Sequence, residues 1–244
     1  MVSEAGDKLM IKHKLQQQII PADESGFTII ESLVAIVVVA ILLAAIAPAI
    51  VISTATRVQS RRVELATQAT KTFIDGIRTG AITTVPSTVV TLATPTAAAP
   101  RRVSDVAGIT GKPQDYLINN ITDMPTPTLA TSLYCFNKNG IITNPDCSGN
   151  SNNLFYIQAG RIVQSIGIND GYRLGIRIYR ADVDFSKTLK ASIDNTKNTQ
   201  VTFTGGLGDR QAPLIEMTTD IGNSNTTFQA LCRRLGTATN QACQ

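Results

Sequence analysis

One histidine, His13, stands near the start of a chain of 244 residues, and none follows it. Imidazole is the usual base near neutral pH, the hinge of Ser-His-Asp arrangements and a common ligand of zinc and haem. Those chemistries are therefore excluded from everything after position 13. GxSxG, HExxH and P-loop patterns are missing as well. Asp182 and Asp184 sit two apart, on one face of a strand. A solvated strand end describes them better than a pair of glycosidase carboxylates. The chain reads as a non-enzyme, with no catalytic, cofactor-binding or metal-binding residue assigned and no cofactor expected.

Cys135, Cys147, Cys232 and Cys243 all fall in the second half, none in a CxxC pair, with spacings of 12 and 11 residues. An even number at such short spacing reads as disulfides rather than metal ligands. Three pairings are open, and Cys135–Cys147 with Cys232–Cys243 is the favoured one. It requires an oxidising compartment. Arg173, Arg177, Tyr179 and Arg180 form a basic group that could meet an acidic polysaccharide, an outer sheet face or another subunit.

These groups are carried by a chain of uneven composition. Charged residues make up 16%, against an ordinary ~25%. The net charge of +4 is too mild and scattered to suggest nucleic acid. The apolar residues are concentrated instead. Ser32 to Ile52 is a run of 21 residues without a charge, 13 of them Leu, Ile or Val. At ~1.5 Å per residue a helix of this length matches a hydrocarbon core ~30 Å thick. Those 13 side chains favour insertion by roughly 4–8 kcal/mol. Glu31 opens the run, and an acid at a span's centre costs about 2.5–3.5 kcal/mol, less at its edge. Three readings fit. Ala47-Pro48-Ala49 resembles a secretory cleavage site, but the run is longer than a signal core. A plain single-pass anchor explains the length but not the flanking residues. The third reading explains more of them.

Upstream lies a leader with Lys8, Lys12 and Lys14, ending in Ser25-Gly26, then Phe27-Thr28-Ile29-Ile30-Glu31. The string GFTIIESLVAIVVVAILLAAIAP resembles the type IV pilin and pseudopilin signature. The resemblance implies cleavage between Gly26 and Phe27 by a prepilin peptidase on the cytoplasmic side, and N-methylation of Phe27. It places Glu31 and Pro48 where the family carries a glutamate and, in many members, a proline. A glutamate one turn into the helix favours its positive end. In a bundle of such helices it can also pair with the Phe27 amine of a neighbouring subunit. Pro48 lacks an amide proton and crowds the carbonyl of Ala44, which reads equally as a kink or as a tolerated proline. The resemblance further implies other pilin subunits as partners, an inner-membrane assembly platform with a separate ATPase, and membrane lipid around the helix. Some pseudopilins bind calcium, but Asn144-Pro145-Asp146 and Asn169-Asp170-Gly171 lack EF-hand spacing and read better as turns.

The helix is expected to continue as a stem. Val58, Leu65, Ala69, Phe73 and Ile77 recur at helical spacing, Arg61, Glu64, Gln68, Lys71 and Asp75 fill the other side, and Gly80 offers a stop. Arg61 and Arg62 could contact anionic headgroups or a neighbouring carboxylate, although a solvated face is the blander reading. Residues 81–100 read as a Thr/Ala/Pro-rich linker with one short strand. Strands are expected at 132–137, 154–168, 172–183, 199–205 and 212–219. In the third, Tyr172, Leu174, Ile176 and Ile178 alternate with Arg173, Gly175, Arg177 and Tyr179, which predicts one buried apolar face and one basic outer face.

The predicted fold is α+β: a long N-terminal helix, half transmembrane and half amphipathic, on an antiparallel sheet. The segments are a leader at 1–26, a transmembrane half at 27–56, a stem at 57–80 and an extracytoplasmic body at 81–244. Local lysine and arginine counts do not choose an orientation. The inferred disulfides and the resemblance place the body outside the inner membrane. The stem together with GYRLGIRIYRAD looks like a cyanobacterial pseudopilin group associated with hormogonium polysaccharide secretion. That implies a minor subunit of a pilus-like machine used in export and gliding; the alternatives are a minor pseudopilin of type II secretion or of the pilus itself, or a membrane-anchored carbohydrate-binding module.

Overall fold

A computed structural model describes residues 26, 28–91, 121, 124–143, 145–147, 152–163, 170–193, 196–200 and 208–235. The chain divides into two compact units, Met1–Pro48 and Ala49–Gln244. The first contains the start of a long helix, α1 (Ile29–Thr79). Thr28 sets where α1 begins. Its Oγ1 accepts a hydrogen bond from the Glu31 amide at 3.2 Å, satisfying one of the orphan N–H groups of the first turn. Glu31 lies in that turn, on the side of the dipole that favours an acid. Within this unit the large apolar side chains from Ile29 to Ile46 are all exposed.

In the second unit α1 becomes the wall of a core. Ala66, Ala69, Thr70, Phe73 and Ile74 are buried. The small residues let the helix approach the sheet closely, and Phe73 fills the space beyond them, its ring edge-on to Tyr134 at 4.9 Å between centroids. Burying one such ring contributes about 1.5–3 kcal/mol. The buried stripe runs through 59, 66, 70, 73 and 74 rather than through Val58, which is exposed. α1 stops at Gly80, whose φ of 74° suits only glycine comfortably and whose N–H reaches the Ile77 carbonyl at 3.2 Å.

Six strands follow among the described residues: β1 (Ser87–Thr91), β2 (Tyr134–Asn137), β3 (Ile142–Thr143), β4 (Asn153–Val163), β5 (Tyr172–Arg180) and β6 (Ile215–Ile221). The order is β3-β2-β4-β5-β6, antiparallel throughout. β1 lies off this path and pairs parallel to the end of β4, from Ser87 opposite Gly160 to Thr91 opposite Val163. A short helix, α2 (Phe228–Leu235), closes the described chain. The hairpin between β2 and β3 uses Lys138-Asn139-Gly140, with Asn137 Oδ1 accepting from the amides of Asn139 and Ile141 at 2.9 and 3.0 Å.

The face of the sheet toward α1 carries Tyr134, Phe136, Phe155, Ile157, Leu174, Ile176, Ile178 and Ile221. The predicted α+β arrangement is therefore present: a long apolar N-terminal helix with its second half packed on an antiparallel sheet. The strand expected at 132–137 begins only at Tyr134, after a 3-10 turn at Ala130–Ser132. The strand expected at 212–219 runs instead from Ile215 to Ile221. Residues 201–207, the centre of the strand expected at 199–205, lie outside the described residues, as do 164–169.

The opposite face corrects an expectation. The basic side of β5 was expected to be an outer surface. Arg177 and Tyr179 are completely buried and Arg173 is 5% exposed. Two distant segments cover them. Residues 124–127 lie against Arg177 and Gln158, and residues 183–192 lie against Tyr179, with Val183 and Leu189 packed on its ring. Alternation along a strand reports which side chains share a face. It cannot report that a loop from elsewhere in the chain closes over that face.

Candidate assembly segment and the covered polar face

From Ile29 to Ile52 every large apolar side chain of α1 is exposed, from Ile29 at 85% to Ile52 at 38%. α1 is long and apolar enough to cross a membrane. Exposed hydrocarbon on this scale requires lipid or other helices around it. Two hydroxyls in and just beyond this run satisfy themselves locally. Ser32 Oγ donates to the Ile29 carbonyl at 2.9 Å, and Thr54 Oγ1 to the Ile50 carbonyl at 2.7 Å. The Glu31 side chain is exposed, one turn inside the helix. Pro48 lies within α1, where it removes one intrahelical donor. Gly26 precedes the helix and is exposed, while Phe27 lies outside the described residues. Thr28-x-x-Glu31 before an apolar run is a sequence-level helix start that was available from the residues alone.

Cys135 and Cys147 form a disulfide with their Cα atoms 5.5 Å apart. It is buried under Leu133, Tyr156 and Phe185. The amides of Asp146 and Cys147 donate to the carbonyls of Leu133 and Ala130 at 3.2 and 3.1 Å, so this loop is tied back beside β2. The Cys232 side chain, Cys243, Asn144 and Asn169 lie outside the described residues. Gly171 has a φ of 62°, consistent with a turn before β5.

The covered face holds one polar row across three strands. Gln158, Arg177 and Glu216 stand opposite one another in register. Arg177 Nε is 3.3 Å from Glu216 Oε1, and both side chains are at most 2% exposed. Arg177 Nη1 also donates to the Met124 carbonyl and to Gln158 Oε1. Glu216 accepts from the Ser192 amide at 3.0 Å and from its hydroxyl. Burial pushes the Arg177 guanidinium below its ordinary proton affinity, and Tyr179 and Glu216 oppose that. Burial raises the Tyr179 phenol, whose hydroxyl donates to the Lys190 carbonyl at 2.9 Å. Further along, Arg173 Nη2 lies 3.8 Å from Asp220.

This arrangement stitches covering segments to the sheet and does not offer guanidinium groups to a glycan. Arg180 is the partial exception. Its Nε donates to Asp182 Oδ1 at 2.7 Å. Asp184 caps the amide and hydroxyl of Ser186 at 3.0 and 2.6 Å, and its carboxyl is thereby held below the usual range. Asp182 and Asp184 thus have separate structural partners.

Sequence reading missed a buried polar contact on the stem. Gln59 is 1% exposed, and its Nε2 donates to Gln200 Oε1 at 2.6 Å. Gln200 in turn donates to the Ala212 carbonyl at 2.9 Å. Gly208, with φ of 77°, passes so close that an added Cβ would lie 2.7 Å from Gln200 Oε1. No sequence period marks a glutamine as an inward residue.

Residues 22–47 match the prokaryotic N-terminal methylation motif. No curated protein and no solved structure matches the chain. The matched motif is the N-terminus of type IV pilins and pseudopilins. Motif and fold together are pilin-like, so the chain is similar to the structural subunits of pilus and secretion systems.

Proposed function

We propose that the chain is a minor pseudopilin of a type IV pilus-like secretion machine, one that supports polysaccharide export and gliding. The observation that carries the reading is the methylation motif at 22–47 running directly into an exposed apolar helix. A prepilin peptidase removes residues 1–26 after Gly26, leaving a cationic amine on Phe27 that is then N-methylated. The precursor waits in the inner membrane, leader inside and body outside. Assembly exchanges lipid around Ile29–Ile52 for the helices of other pilin subunits, with little net change in apolar burial. Glu31 pairs with the Phe27 amine of a neighbour, which offsets the desolvation of both charges and sets the axial step. Pro48 gives the helix a point where one backbone bond is absent. Motion comes from a separate ATPase at the assembly platform.

Mass spectrometry of assembled material tests the processing. A mature chain beginning at N-methylated Phe27 is expected. One that begins near residue 50, or keeps its first 26 residues while working, refutes it. Glu31→Ala should insert normally and fail to assemble. A strain lacking the chain should lose polysaccharide export and gliding but keep protein secretion. Loss of protein secretion instead would move the chain to a type II system.

A further inference from the structure

The outer end of the apolar run carries a second feature, within the unit Ala49–Gln244. Ile50, Val51 and Ile52 are the last of the exposed aliphatic residues on α1. Arg57 follows Ile52 by five residues, about 7.5 Å along the axis at ~1.5 Å per residue. Arg61 and Arg62 follow by roughly 14–15 Å on the same rise. A bilayer's polar layer is about 5–8 Å deep on each side, the difference between its full and hydrocarbon thickness. Arg57 therefore reaches headgroup depth, and Arg61 and Arg62 lie within a long side chain's reach of its outer edge. No carboxylate occurs between Glu31 and Glu64, so this flank has one sign of charge.

The cluster extends onto the body. Arg57 and Arg61 are exposed, and Arg61 pairs with Glu64 at 2.7 Å with side chains 63% and 68% exposed, where such a pair holds weakly. Arg62 is half-buried beside Arg180 and Asp182. Burial and then the Arg180 charge lower its proton affinity, and Asp182 counters only in part. Arg57 and Arg61 thus present exposed guanidinium groups at the end of the body where Arg62 and Arg180 also lie. Exposed planar forks such as those of Arg57 and Arg61 fit phosphate oxygens, which accept two parallel N–H bonds from each fork.

Resting on the reading of α1 as a membrane span, we propose that Arg57, Arg61 and Arg62, backed by Arg180, form a collar that binds the phosphate headgroups of anionic lipids at the outer face of the membrane. The collar holds the precursor in the lipid reservoir. Leaving the bilayer for a fibre then requires giving up those headgroups, so anionic lipid content sets how readily the subunit is withdrawn.

The test uses the full chain in nanodiscs of equimolar phosphatidylglycerol and phosphatidylcholine, with native mass spectrometry of the lipids it retains. Each cation near an anionic surface contributes about fivefold at low salt. Retention of phosphatidylglycerol at least fivefold above phosphatidylcholine is expected. In R57Q/R61Q/R62Q the ratio should fall to near one. Should that variant misfold by near-UV circular dichroism, R57Q/R61Q changes only exposed side chains and should still lower the ratio severalfold. Equal retention of both lipids by the wild type overturns the collar, as does a preference unchanged in folded variants. Alkaline carbonate extraction separates the two levels. A chain released by carbonate defeats the span itself, whereas an integral chain without lipid preference defeats the collar alone.

Discussion

Removing one partner of the Arg177–Glu216 pair should harm the body more than removing both. Glu216→Leu leaves a guanidinium with no solvent exposure deprived of its Glu216 carboxylate. Breaking a buried pair in this way costs about 3–5 kcal/mol. Arg177→Met leaves Glu216 with both hydrogen bonds from Ser192, so its cost should lie at the lower end. R177M/E216L removes both desolvation penalties. It strands the Met124 carbonyl and the Ser192 amide and hydroxyl, at about 1–3 kcal/mol for each that finds no new partner. A hydrophobic replacement of a buried pair can return ~1–4 kcal/mol. With one of those three groups left unpartnered, the double variant should fall within about 3 kcal/mol of the wild type, while the two singles sum to about 6–10 kcal/mol. For a body of this size ~1 kcal/mol moves Tm by about 2–4 °C. Each single should then lower Tm by roughly 6–20 °C, followed by near-UV circular dichroism of the full chain in detergent, where Tyr179 beside Arg177 reports packing. Singles that shift Tm by less than about 2 °C, or a double whose loss equals their sum, would show that the covered row carries no coupled charge pair.

Three further outcomes are expected. Gly208→Ala should destabilise the body by about 2–3 kcal/mol, since it forces a Cβ onto a positive φ and against Gln200 Oε1; a loss below ~0.5 kcal/mol would mean the loop yields freely. C135S/C147S should cost about 2–4 kcal/mol, read by thermal melts with and without reductant, and the reductant should shift the variant by less than it shifts the wild type. Burial, with Tyr172 adding to it and Arg161 opposing, pushes the Tyr134 phenol from 10.0 up to about 12. A raised value means its share of stability is intact below pH 10 and lost as pH climbs toward 12. Phenolate absorbance should show that group titrating late, and Tyr134→Phe should reduce the late step by one phenolate, leaving the raised Tyr172 and Tyr179.

The helix was legible because its physics is local. An uncharged run of the right length, a glutamate at its head and a glycine at its end need no knowledge of the rest of the chain. β2, β4, β5 and β6 were legible through alternation and turn residues, with ends displaced by a few positions. Arg173, Arg177 and Tyr179 were misread as an outer face because their cover comes from residues 124–127 and 183–192, and no strand period contains that information. Gln59 was passed over for the same reason. Its burial depends on Gln200, 141 residues later. Among the short elements, β3 has two residues, and α2 begins with an exposed phenylalanine, leaving little pattern to read.

The stem that walls the core is made first, and the strand that completes it is made last. Phe73 waits for Ile178, Leu214 and Ile221, all in the same cluster. Contacts of such long sequence separation form slowly and leave greasy surface bare meanwhile. A nascent chain thus cannot mature piecemeal. A stop codon anywhere ahead of β6 should forfeit the entire body, and until that strand is made the stem is an orphaned amphipathic helix whose apolar face a holdase could shelter.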